Sequence, residues 1–481
     1  MSQINESTIK TPGVYVNEIP SFPPSIAQVA TAIPAFIGYT STDVDAKGNK
    51  WHLVPKRITS FLDYQQYFGG AQNETNITVT IVEHQTVPPP PATLASVDVT
   101  AAIGSGGPSM KYLMYYAVQI YFMNGGGPCY IVSVNTYATG GGTITESDLT
   151  TGLATIEAQD EPTLIVFPDA PGLTSASQYY DLQKQSLALC AKLQDRFALI
   201  DVLFDPTKNT NDNATAFRGN LTDNLNYGAA YYPNIVTTLG YTYAESAVPL
   251  TISVAGGGTP ILTSAHLDGL SAENKIVYSQ VVNAINLLGV QLPPSGAMAG
   301  VMATVDATRG VWKAPANVGL IGVQSLTDNV TDASQQDLNI DASGQSINAI
   351  RSFTSKGILV WGARTLDGNS NDFRYISVRR FYIMVEESVK DAAMQFVFEP
   401  NDGTTWVRIR AMIENYLTNL WRLGALAGSK PEQAFYVSVG LGQTMTFDDI
   451  LNGKMIVEIG MAPVRPAEFI ILRFSQIQQQ A

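Results

Sequence analysis

Apolar and polar positions along the 481-residue chain change their period several times, and each change marks a predicted element. Ile33-Pro34-Ala35-Phe36-Ile37-Gly38-Tyr39 is apolar almost throughout, the pattern of a buried strand. Residues 111–123 place Leu113, Ala117, Ile120 and Tyr121 at helical spacing and stop at Gly125-Gly126-Gly127. Short apolar runs at 129–134, 164–169 and 197–204 predict strands, with a helix over 179–194. Strands alternating with helices predict a parallel sheet across 110–240. Residues 241–295 are less regular, with a loop at Gly256-Gly257-Gly258 and a helix around 273–288.

The last third is denser in signals. Val378, Phe381, Tyr382, Val385, Val389 and Ala392 form one helical stripe, with Glu386 and Lys390 four apart on the outer side. A second helix is predicted over 406–423, with Trp406, Ile409, Ile413, Tyr416, Leu417 and Leu420 inward. Its other side carries Arg408, Arg410, Glu414, Asn415 and Arg422. Strands are expected at 434–439, 454–460 and 467–474, which gives the end of the chain an α+β character. The last of these, led in by Ala462-Pro463-Val464-Arg465-Pro466-Ala467, reads as an exposed edge strand that needs another chain to pair with it.

Residues 1–25 read as an arm. Thr11-Pro12-Gly13 opens it, Val14-Tyr15-Val16 is β-prone, and Pro20, Pro23 and Pro24 hold the chain extended. The segment is too short for a core of its own. Pro88 to Pro91 is a polyproline spacer and Gly104 to Gly107 a joint, which together suggest a small insertion over 70–108.

Charge changes the picture more than size does. Only 14% of residues are charged, against about 25% in ordinary globular chains. The surface is therefore polar-uncharged or covered by partners. A net charge of −13 argues against nucleic-acid binding. Cys129 and Cys190 are too few for a disulfide framework or a four-thiolate metal site and read as buried thiols. No run of about 18 uncharged apolar residues predicts a membrane span, and residues 1–10 lack the features of a signal peptide. His52, His84 and His266 lack metal-site spacing, and no phosphate loop, dinucleotide fingerprint or nucleophile elbow is present. Asp169, Asp201 and Asp205 fall near predicted strand ends, where parallel sheets bind ligands, but aspartate is also a common turn and cap residue. No catalytic residue, metal or cofactor is expected.

Several segments resemble the contractile tail sheath family. They are Thr11-Pro12-Gly13-Val14-Tyr15-Val16-Asn17-Glu18 at the front, then Pro293-Pro294-Ser295-Gly296 and Asp306-Ala307-Thr308-Arg309-Gly310-Val311-Trp312. Lys356-Gly357-Ile358-Leu359-Val360-Trp361-Gly362-Ala363-Arg364-Thr365, Tyr375-Ile376-Ser377-Val378-Arg379-Arg380 and Phe398-Glu399-Pro400-Asn401 follow in family order, and Pro466-Ala467-Glu468-Phe469 closes the series. The resemblance implies an α+β sheath core domain formed by residues 26–60 and 296–465, with an outward-facing insertion over 61–295 that holds an α/β part at 110–295. It implies arms at 1–25 and 466–481 that add strands to neighbouring identical subunits, through Gly13, Val14, Tyr15 and Val16 at one end and Glu468, Phe469, Ile470, Ile471 and Leu472 at the other. Pro20, Pro23, Pro24, Pro463 and Pro466 are the expected hinges. Arg408, Arg410, Glu414 and Arg422 are the expected tube-facing helix positions, with residues 394–398, read as a strand, and the Lys430-Pro431-Glu432 turn as alternatives. The expected partners are sheath copies, an inner tube, and baseplate and cap proteins of a phage tail or tail-like injection particle. Size and closing motif look closer to extracellular toxin-delivery particles.

Overall fold

The computed structural model describes residues 25–86, 93–138 and 142–473. The chain divides into two compact units. The larger takes Ala30–Met384 with the described part of Arg465–Ala481, and the smaller takes the described part of Met1–Val29 with Val385–Val464. The fold is α+β.

The larger unit is built on a nine-stranded sheet. Its order is β12 (Val318–Gly319), β15 (Gly357–Val360), β14 (Ile347–Phe353), β8 (Gly228–Tyr232), β7 (Phe197–Asp201), β6 (Leu164–Val166), β1 (Pro34–Thr40), β5 (Cys129–Thr136) and β2 (Lys56–Ile58). The run from β14 to β5 is parallel, and the outer β2, β15 and β12 are antiparallel to their neighbours. Every residue of β1, β6, β7 and β8 is buried, as a parallel sheet covered on both faces requires. Two adjacent residues of β1 identify the covers. The Phe36 ring meets Tyr121 of the Met114–Met123 helix at 5.3 Å. Ile37 lies against Gly152 of the Glu146–Ile156 helix, so closely that a Cβ there would come within 2.7 Å of it. Successive strand residues point to opposite faces, so these helices cover opposite sides.

On the Phe36 side the Ser295–Arg309 helix packs against Met114–Met123 with backbones nearly touching. A Cβ on Gly296 would sit 2.9 Å from the Ala117 carbonyl oxygen, and one on Gly300 2.5 Å from that of Tyr121. Only glycine permits this approach.

Two smaller sheets complete the larger unit. β3 (Ile77–Thr86) and β4 (Thr93–Ile103) form an antiparallel hairpin, and β10 (Leu250–Val254) joins β3 in parallel. β9 (Ile235–Thr237) lies between β11 (Gln291–Leu292) and β13 (Val323–Leu326). In the smaller unit the Gly403–Arg422 helix packs on a two-stranded sheet of β16 (Phe435–Ser438) and β17 (Glu458–Met461). Asp402 caps that helix by accepting the Thr405 amide, which starts it ahead of the expected 406. Gly424, at φ +83°, ends it.

Strand pairing cuts across the expected division into core and insertion. β1, β2, β12, β14 and β15 come from the segments expected to form the core, and β5 to β8 from the expected insertion, yet all lie in one sheet. The reason is β1 itself, which is apolar on both faces and takes a partner on each edge. Likewise the small insertion expected over 70–108 is a hairpin whose sheet is completed by β10, more than a hundred residues later. The segment expected as a strand at 394–398 instead continues the Ile376–Ala393 helix as a single 3₁₀ turn, Met394–Phe396. Lys390 of that helix bonds Glu387, three residues away. The strand expected at 467–474 is absent among the described residues: 467–473 takes no regular secondary structure and pairs in no ladder. The strands at 434–439 and 454–460 are present as β16 and β17, the latter starting later.

Candidate functional site: a filled crevice and an exposed terminal segment

Open parallel sheets bind ligands where two neighbouring strands lead their connections in opposite directions. Here that point lies between β1, which leads to β5, and β6, which leads to β7. Asp169 stands just beyond β6, as the sequence suggested, but its carboxylate is consumed. Oδ2 accepts the Tyr39 amide at 2.7 Å, and Oδ1 accepts the Leu113 and Met114 amides at 2.5 and 3.0 Å. The last two are the free donors at the start of the Met114–Met123 helix, the groups that would cradle a phosphate in a nucleotide-binding fold. An internal carboxylate therefore occupies the anion position.

Asp201, the last residue of β7, repeats the arrangement. It accepts the Ser295 amide at 2.8 Å, at the start of the Ser295–Arg309 helix. Burial pushes both carboxyls up to about 7, while the donated amides pull the other way. Asp205 is half-buried and closes a turn by accepting from Thr207. The three aspartates are thus two helix anchors and a turn, not one site. His84 faces Asp98 at 2.7 Å and His52 faces Asp43 at 3.6 Å. Among the described residues no cluster of His, Cys, Asp or Glu is placed to hold a metal ion. Cys129 and Cys190 are buried free thiols.

The feature left open is the end of the described chain. Phe469, Ile470, Ile471 and Leu472 are 66–78% exposed in succession. Glu468, expected to belong to the same free strand, does not. Its carboxylate receives Arg364 Nε at 3.0 and 3.1 Å and Nη2 at 2.5 Å, with the Tyr375 hydroxyl at 3.5 Å. The Arg364 side chain is nearly fully buried. Asn348 holds its backbone by donating to Arg364 O and accepting from Arg364 N. In the sequence Arg364 and Glu468 stand in separate motifs about a hundred residues apart, with nothing local to pair them. The available signal was that two opposite charges stood in such motifs of a charge-poor chain.

Of the expected hinges, Pro463 is held within the smaller unit: it bridges Leu426, flanked by Ala427 N to Ala462 O at 2.7 Å and Val464 N to Ala425 O at 3.1 Å. Pro466 stands where the chain passes from the smaller unit to the larger. Pro20, Pro23 and Pro24, and the expected arm strand Gly13, Val14, Tyr15 and Val16, lie outside the described residues.

On the Gly403–Arg422 helix, Ile409, Ile413, Tyr416, Leu417 and Leu420 are buried as expected. Arg408, Arg410 and Arg422 are exposed on the other side. Two of these charges are matched locally: Arg410 donates to Glu414 at 2.8 Å, and Arg408 lies 3.6 Å from Glu399. Beside them Phe398 is fully exposed at φ +69°.

Comparison with known proteins assigns the class. Residues 142–366 match the family profile described as phage tail sheath protein central domain, and 369–477 that described as phage tail sheath C-terminal domain. The tail sheath protein of Burkholderia phage BcepMu is 30% identical over 201 residues, 40% of this chain and 41% of that protein. That of Vibrio phage KVP40 is 28% identical over 188 residues, 38% of this chain and 26% of that protein. The chain thus matches well under half the length of these curated relatives. Solved structures are similar over nearly the whole chain. A chain of the PVC sheath complex of an extracellular contractile injection system, in its contracted state, is 32% identical with a TM-score of 0.64, covering 98% of both chains. The contracted helical sheath of the anti-feeding prophage is 31% identical with a TM-score of 0.61, covering 98% of this chain and 100% of that one.

The chain belongs to the contractile tail sheath family. Its relatives are sheath subunits of phage tails and of contractile injection systems. Among the described residues no helix is long and apolar enough to cross a membrane.

Proposed function

We propose that this chain is a structural, non-catalytic subunit that polymerises helically around an inner tube, and that the polymer contracts to drive the tube through a target envelope. Baseplate and cap proteins terminate the polymer. Assembly takes place in a bacterial cytoplasm, before release of a toxin-delivering particle. The carrying observation is the exposed run Phe469, Ile470, Ile471 and Leu472. Each such side chain gains about 1.5–3 kcal/mol on full burial. Four in a row on a segment that pairs with no strand of its own chain among the described residues suit addition to another chain's sheet. Among the described residues β16 and β17 form a two-stranded sheet, which favours the smaller unit of a neighbour as the acceptor. A contact between unlike surfaces that does not close on itself propagates as a helix.

Electron microscopy of the purified chain, with and without tube protein, tests the reading. The expected result is hollow helical polymers with a long narrow and a short wide form. A chain that stays monomeric at high concentration, or polymers of one fixed diameter after mild denaturant, would overturn it.

A further inference from the structure

The segments leading to the two arms are fastened to the larger unit by the same kind of device. At the C-terminal side, Arg364 grips Glu468 through three short contacts with both partners mostly shielded from water. Among the described residues of 465–473, Glu468 alone makes a hydrogen bond or ion pair, and from the next residue on every described residue is exposed. At the N-terminal side the fastened residue is Thr31. Its hydroxyl donates to Asp306 at 2.6 Å, and its carbonyl receives Arg380 Nη2 at 2.7 Å and the Thr163 hydroxyl at 2.9 Å. Arg380 closes the triangle by donating to both Asp306 oxygens at 3.1 and 2.5 Å, with both side chains buried. The motif segments that lie far apart in sequence therefore meet in pairs: Asp306 with Arg380, and Arg364 with Glu468.

We propose that Arg364 and Arg380 are positioning residues that fix where each arm leaves the larger unit, at Glu468 and Thr31. This deepens the arm-exchange reading and rests on it. A planar, always-charged guanidinium that binds a carboxylate through two nitrogens sets direction as well as distance. Residues beyond Glu468 then start from a fixed point and heading, so the arm meets one neighbour at one register. Without the grip, the tether would begin at Pro466 or earlier, and the arm would search a wider volume. The cost of desolvating these charges is offset only while both partners stay in place. The device thus holds the arm root through a rigid-body shift of the subunits, which places bending beyond Glu468.

The test uses the full chain and four variants: a truncation after Glu468, Glu468→Gln, Glu468→Arg, and the exchange Arg364→Glu with Glu468→Arg. Polymer yield is read by sedimentation and electron microscopy, and folding by thermal melting. Glu468→Gln and Glu468→Arg should still fold, at a lowered melting temperature because Arg364 loses its partner, and should yield roughly tenfold fewer regular polymers even well below that temperature; the exchange should recover much of both losses. If truncation abolishes polymers while Glu468→Gln and Glu468→Arg assemble as the unaltered chain does, the anchor is overturned and the arm reading stands. If the truncated chain assembles normally, the arm reading fails and takes the anchor with it. A loss of assembly that tracks a lowered melting temperature and is not recovered by the exchange reduces the pair to a stabilising contact and overturns the positioning role. Thr31→Val supplies the same comparison for the other arm.

Discussion

The carboxylate of Asp169 accepts the amide of Tyr39 at 2.7 Å, joining the ends of β6 and β1 where the sheet reverses its winding. With the Leu113 and Met114 amides it serves three donors. Asp169→Ala should cost about 3–5 kcal/mol, because each buried donor left unpaired costs about 1–3 kcal/mol and water can reach some of them. Gly38→Ala should act on the same contact: its Cβ would lie 2.4 Å from Asp169 Oδ2 and 2.9 Å from Met114 Sδ. Denaturant unfolding of the two single variants and their combination checks this. Losses that add fully would show that the two positions do not act through one contact.

Asp201 should make stability fall as pH rises. Its carboxyl is raised from 3.8 to about 7 by burial, so the folded chain holds a proton that the unfolded chain releases. Such a group favours folding fully below its unfolded value, and the contribution is lost as pH rises through about 7. Asp169 contributes in the same sense. Asp201→Asn keeps an oxygen for the Ser295 amide and removes the ionisation. Melting temperatures between pH 5 and 8.5 should therefore decline less steeply in the variant, with the difference largest at the alkaline end. Parallel profiles would show that the Asp201 carboxyl does not titrate there.

Gly300→Ala should separate two helices. The new Cβ would stand 2.5 Å from the Tyr121 carbonyl oxygen, and backbone cannot rotate out of the way. A loss of about 2–3 kcal/mol is expected, in the range of overpacked cores. Thermal unfolding of the variant measures it.

Aspartate at Phe469 and Ile471 should leave the melting temperature unchanged, since both side chains are already exposed. It should remove polymers, because charges would have to be buried against an apolar partner. Unaltered polymer yield would point to another segment as the link.

Arg408→Glu with Arg410→Glu should change monomer stability by less than about 1 kcal/mol, as exposed ion pairs contribute little. If this helix faces the tube, co-assembly with tube protein should weaken while sheath-only polymers persist. Pull-down with tube protein separates the two outcomes.

The strands of the larger unit were legible where apolar runs were continuous. Ile33 to Tyr39, Leu164 to Val166 and Phe197 to Asp201 could hardly be anything but buried strands. The helix stripes at Ile409, Ile413 and Leu420 were equally plain. Neighbourhood was not legible, because an apolar strand states that it needs partners without naming them. β1 takes one partner about ninety residues later and another about thirty residues beyond that. The three aspartates were legible as residues at strand ends, but not as helix anchors. That role depends on amides of Leu113, Met114 and Ser295, which sequence alone does not bring near. In sequence Glu468 reads as part of the free strand because its neighbours are apolar, and only the position of Arg364 separates it from them.

The placement of β1 bears on how the chain is made. Its seven buried residues leave the ribosome early, yet Asp169, which ties its far end, follows 130 residues later. Synthesis at about 5–20 residues per second leaves a sticky, unpartnered strand in the open for several seconds or more on every nascent chain. A particle that needs many identical copies multiplies that exposure. Raising chaperone capacity near the ribosome is therefore expected to increase the soluble yield of this chain even where the finished subunit's stability is unchanged.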